Sequence, residues 1–171
     1  MKWARAVVAG IIGALAVVAL FALARWVLGV NANVSTTLGS IVLPARYGAL
    51  LGWIAGAIAQ LILGAVAGII YGLIFEYVTR RAGWLVGGLI GIAHALFAGV
   101  AIGFLPMRMA GGSPAAPGAF LEYRGAWAVV VLVVVHVIFG VLVGALYGAT
   151  HHAASAPGVR WRELRSSDSA P

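Results

Sequence analysis

The chain has 171 residues, 63% of them hydrophobic and 9% charged, with a net charge of +7. Soluble domains carry ~25% charged residues, so a surface this poor in charge excludes a water-soluble globule and makes lipid the solvent for much of the molecule. Cysteine is absent, which excludes disulfides, thiolate metal sites and cysteine nucleophiles.

Residues 6–24 run uncharged from Arg5 to Arg25 and predict a first spanning helix at about 6–25. Lys2 and Arg5 before it and Ala22-Leu23-Ala24 at its end mimic a signal peptide. The apolar stretch is longer than a signal core, so it is read as a retained span. Residues 26–45 are also uncharged, but Asn31, Asn33, Ser35, Thr36, Thr37, Ser40 and Pro44 make them a polar loop. Three further uncharged runs follow, 47–75, 82–107 and 125–150, and predict spans at about 49–76, 83–106 and 126–149. The link 77–82 is short, so the second and third spans form a tight hairpin, whereas 107–124 is a second long loop. The expected fold is all-α, an integral membrane four-helix bundle within residues 1–152, followed by a polar tail, 153–171, expected to be disordered.

Basic residues fall between the apolar runs, where they orient spans and meet anionic lipid. With the N-terminus inside, Lys2, Arg5, Arg80, Arg81, Arg160, Arg162 and Arg165 are cytoplasmic, and Arg25, Arg46, Arg108 and Arg124 are outside. The excess on the first side predicts both termini in the cytoplasm. Trp3, Trp26, Trp53, Trp84 and Trp127 mark the span ends, as interfacial aromatics do. No basic cluster is interleaved with aromatics, so the predicted partner is the bilayer and not nucleic acid.

The two halves are similar. A shift of 76 lays Gln60, Gly64, Gly68, Tyr71 and Gly72 on His136, Gly140, Gly144, Tyr147 and Gly148. A shift of 78 lays Gly10, Ile12 and Gly13 on Gly88, Ile90 and Gly91. This predicts two like hairpins in a parallel repeat. The 24 glycines, about double the usual ~7%, are spaced four apart in the spans. Gly52, Gly56, Gly64, Gly68 and Gly72 lie on the second span, Gly87, Gly91, Gly99 and Gly103 on the third, and Gly140, Gly144 and Gly148 on the fourth. Such ridges let a neighbouring backbone approach closely. They outnumber the contacts expected inside one four-helix chain, which predicts a homo-oligomer or another membrane subunit as partner.

Gln60, His94 and His136 each sit near the middle of a span, at similar depth. Polar side chains there face the protein interior, and an imidazole needs one donor and one acceptor, so the three are expected to satisfy one another. Three readings follow: a hydrogen-bond cluster that fixes helix order, a pathway for a proton or small solute, or ligation of haem b by His94 and His136. The first makes the protein a non-enzymatic packing subunit with no cofactor and no metal. The second makes it a small transporter, and the third an electron-transfer protein.

Glu76 and Arg80 are spaced to pair at a helix end, Glu122 is a loop charge near Arg124, and His151-His152, Tyr71 and Tyr147 are boundary polarity. The Arg160–Arg165 patch is part of a solvated tail, and Asp168 is the one aspartate. No nucleophile elbow, zinc-protease helix or phosphate loop occurs, and no two acids lie near one another, so no enzyme is predicted.

Gly88-Leu89-Ile90-Gly91-Ile92-Ala93-His94, with His136 and its trailing glycines, resembles the small four-span bacterial membrane proteins grouped as domains of unknown function. The resemblance covers most of 6–150. It implies an inner-membrane helical bundle and no activity.

Overall fold

A computed structural model describes residues 1–30, 32–104 and 118–150. The expectations at Asn31, Arg108, His151, His152 and the tail, with its Arg160–Arg165 patch and Asp168, lie outside the described residues. All regular structure among the described residues is helical: α1 (Trp3–Leu28), α2 (Val34–Val42), α3 (Ala49–Leu73), α4 (Trp84–Phe104) and α5 (Ala126–Tyr147). A π-helical turn, Ile74–Val78, extends α3, and short 3-10 turns occupy Ala45–Tyr47 and Ala119–Arg124. α1, α3 with its extension, α4 and α5 are long and apolar enough to cross a bilayer.

α1 stops at Gly29, whose φ of +67° is left-handed and costs glycine nothing. α2 was not anticipated; it lies within the stretch read as a polar loop. Its start is set by Asn33, whose Oδ1 accepts from the Thr36 N–H at 3.0 Å. At the end of α3 the hydrogen bonding loosens by one residue, and the Thr79 N–H reaches the Ile74 carbonyl at 2.9 Å. That slip removes the α-helical four-residue register on which a Glu76–Arg80 pair was expected. Glu76 is buried, whereas Arg80 is exposed with φ +53°.

The spans pack in the order α3–α1–α5–α4. Because α3 and α4 do not pack along their lengths, the four helices form an open arc with these two as its arms. α2 lies on α3, and Ala119–Arg124 lies on α4 and α5, both at the end away from Lys2. That end is called the loop end; the other, with Lys2, Glu76 and Thr150, is the terminal end. Leu15, Ile58, Ile62, Leu89, Phe97 and Val134 point outward, as lipid-facing side chains do. All five tryptophans at the span ends are exposed.

Small residues set the helix contacts. A Cβ added at Gly10 would strike the Gly64 carbonyl oxygen and lie 2.9 Å from the Gly68 Cα. One added at Gly87 would strike the Gly140 oxygen and lie 3.0 Å from the Gly144 Cα. α1 on α3 and α4 on α5 therefore meet through the same backbone atoms, with Gly10 in the place of Gly87, not of Gly88 as the shift of 78 had it. Further along, Gly39 of α2 abuts Gly52, and Gly56 abuts the Ser35 carbonyl. Gly99 lies under the Phe120 ring, Gly103 against Ala119, and Gly72 against Met1 and Tyr147. Most of the ridge glycines thus meet a neighbour within the chain. α2 covers Gly56 and Ala119–Arg124 covers Gly99 and Gly103, whereas a Cβ at Gly52 meets open space.

Candidate functional site: a cavity between the arms of the arc

A cavity of about 410 Å³ fills the mouth of the arc. Its walls are mostly apolar, with Asn33, Thr37, Gln60, His94 and His136 as the polar lining residues, and no charged side chain lines it among the described residues. Leu63, Val66 and Ile70 of α3 and Phe97 of α4 form its rim, and each is also exposed on the outer surface, so the mouth opens sideways, between the apolar outer faces of α3 and α4. Val34 and Leu38 of α2 and Leu121 close it at the loop end. Leu121 and its neighbour Phe120 hold left-handed backbones (φ +65° and +55°), a strain of ~1–2 kcal/mol each that persists because packing enforces it.

Gln60, His94 and His136 all line this one cavity. The His94 and His136 rings touch edge to face, with centroids 4.7 Å apart and planes at 80°. They do not hydrogen-bond to each other, as had been expected; each is held elsewhere. His94 Nδ1 is 3.3 Å from Tyr71 Oη, and His136 Nδ1 is 2.7 Å from the Leu132 carbonyl oxygen, one turn back on its own helix. The Gln60 amide makes no hydrogen bond within the described residues and faces the cavity.

Tyr71 is the functional neighbour that sequence reading placed at the boundary. It is 2% exposed. Side chains on a helix lean toward its N-terminus. α3 starts at the loop end and α4 at the terminal end, so Tyr71 leans up and His94 leans down until they meet across the arc.

Toward the terminal end the cavity is closed by aromatic rings. Tyr71 packs edge-on against Phe75 and Phe139 at 6.1 and 5.5 Å, and Phe75 packs on Tyr147 at 5.4 Å. Beyond them Tyr147 Oη donates to Glu76 Oε1 at 2.7 Å and accepts from the Lys2 N–H at 3.2 Å. Lys2 Nζ donates to the Ala149 carbonyl, and Thr150 Oγ1 to the Arg80 carbonyl at 3.0 Å. This network ties the start of α1, the π-turn and the end of α5 together. Tyr147, also read as boundary polarity, is wholly buried within it. Glu122 is exposed, in keeping with a loop charge.

No family model matches the chain, and no curated protein or solved structure is similar to it.

Proposed function

We propose that the chain is a non-enzymatic, multi-pass protein of the inner (plasma) membrane, both termini cytoplasmic, that binds a small, mostly apolar molecule entering from the bilayer between α3 and α4. The observation that carries this reading is the cavity itself, of about 410 Å³, with an apolar rim on the outer surface and the polar side chains of Asn33, Thr37, Gln60, His94 and His136 in its lining. Its volume is within the ~300–1,000 Å³ of small-molecule sites. Lipid tails are as apolar as the cavity walls, so leaving the bilayer gains a ligand no hydrophobic free energy. Selection therefore falls to shape and to the polar lining: Gln60, His94 and His136 at mid-span, and Asn33 and Thr37 at the loop end.

The packing-subunit reading rested on uncovered glycine ridges, and every ridge glycine except Gly52 meets a neighbour within the chain. The haem reading meets a steric difficulty. Iron and its macrocycle must lie between the two imidazoles, and rings in edge contact at 4.7 Å leave no gap for them. The transport reading needs a polar route onward from His94, and the Tyr71, Phe75, Phe139 and Tyr147 rings stand there instead. The matched contacts Gly10–Gly64 and Gly87–Gly140 support a two-hairpin repeat. The cytoplasmic excess of basic residues supports the orientation.

Native mass spectrometry of the full chain released from lipid nanodiscs tests the binding reading. We expect an apolar adduct of a few hundred daltons that Ala67→Phe, which fills the cavity, removes. An adduct-free protein, or an adduct indifferent to that change, overturns it. Because the chain has no cysteine, single cysteines test orientation. An impermeant maleimide should label Thr36→Cys on intact cells and spare Thr79→Cys, and the reverse pattern would invert the topology.

A further inference from the structure

We infer that the cavity selects an uncharged, mostly apolar molecule headed by one hydroxyl group, an alcohol or a phenol. Its oxygen accepts a hydrogen bond from His94 Nε2–H and donates one to His136 Nε2. The inference rests on the lipid-entry reading above and names its ligand class.

The tautomers follow from the partners. The Tyr71 hydroxyl is buried, and His94 Nδ1 is its one hydrogen-bond partner among the described residues. A buried O–H without an acceptor is costly, so Tyr71 donates and Nδ1 accepts. The His94 proton is then on Nε2. At His136 the logic is reversed. The Leu132 carbonyl can only accept, so Nδ1 carries the proton and Nε2 presents a lone pair.

Both Nε2 atoms are open to the cavity. Neither makes a hydrogen bond, yet no fully buried side-chain nitrogen or oxygen among the described residues is left without a partner. Both residues line the cavity, and that is the space from which these nitrogens can take a partner.

One donor and one acceptor therefore face the same space on rings whose centroids are 4.7 Å apart. A single oxygen about 2.9 Å from each nitrogen bridges up to about 5.8 Å. A hydroxyl both accepts and donates at one atom. An ether or ketone satisfies His94 alone and leaves the His136 lone pair facing another oxygen. A carboxylate or phosphate has the same conflict and finds no cation among the lining residues. Gln60, on the facing wall, offers the head group a further amide contact.

The test is a 15N-histidine NMR titration of the full chain in nanodiscs, with farnesol against farnesyl methyl ether and farnesene, and 4-nonylphenol against its methyl ether. The His94 and His136 Nε2 resonances should shift with each hydroxyl compound at about tenfold lower concentration than with its ether or with farnesene. His136→Phe should abolish that preference. Tighter binding of 4-nonylphenol assigns a phenol and tighter binding of farnesol an alcohol, and both support the inference. Equal response to hydroxyl, ether and hydrocarbon overturns the hydroxyl assignment and leaves the cavity reading standing. No response to any compound, or a response that survives Ala67→Phe, overturns both. Each ether comparison is made on the unaltered chain, so it decides the point even where a variant does not fold.

Discussion

At the scale of single residues, two tyrosines carry more than their positions near span ends suggest. Tyr147 Oη both gives and receives a hydrogen bond inside a buried network. Tyr147→Phe keeps the ring and strips both, leaving Glu76 without one donor. The expected loss is ~1–3 kcal/mol, read as a shift in the denaturant-unfolding midpoint in mixed micelles. Tyr71→Phe removes a longer contact, 3.3 Å, beside an open cavity. Interhelical bonds in membranes average ~0.6 kcal/mol, and we expect a loss of that order, smaller than for Tyr147→Phe. Equal losses would contradict the difference in number and length of the hydrogen bonds that the two hydroxyls make. Gln60, His94 and His136 were legible in the sequence because a polar residue in the middle of an apolar run has few roles. Their partners were not legible. Tyr71 joins His94 through the lean of two antiparallel helices, and Leu132 joins His136 through its backbone, which no side-chain pattern reports.

At the scale of elements, the four long apolar helices were legible, because charge spacing and bilayer thickness fix length together. α2 was not, because freedom from charge and a run of small polar residues fit a loop as well as a short amphipathic helix. The one local signal was Asn33, and Asn33→Ala should loosen α2 by ~0.5–2 kcal/mol, seen as faster amide exchange over Val34–Val42 with the spans unaffected. The glycine period was legible, but which neighbour covers each glycine was not. Gly10→Ala and Gly87→Ala push a methyl into a facing backbone, where overpacking costs typically ~1–3 kcal/mol. At Gly52 a Cβ meets open space, so Gly52→Ala should be neutral or stabilise by up to ~1 kcal/mol. The same unfolding assay checks all three. A uniform response would mean the glycines act through chain flexibility and not through close approach.

At the scale of the whole molecule, four helices long and apolar enough to cross a membrane do not state which pairs touch. The arc arises because glycine contacts fasten α1 to α3 and α4 to α5, α1 also packs on α5, and nothing comparable fastens α3 to α4. The opening is thus a product of pairing, invisible to any single helix, and it turns three mid-membrane polar residues into the lining of a site. The central claim is that this site is reached from lipid. A bimane label on Ala98→Cys, in the cavity wall of an otherwise cysteine-free chain, tests it most directly in vesicles of brominated-acyl lipid. The account predicts that the bromines quench the label and that saturating farnesene relieves the quenching. Quenching by aqueous iodide with no effect of brominated lipid would contradict it, because the cavity would then open to water and not to the bilayer.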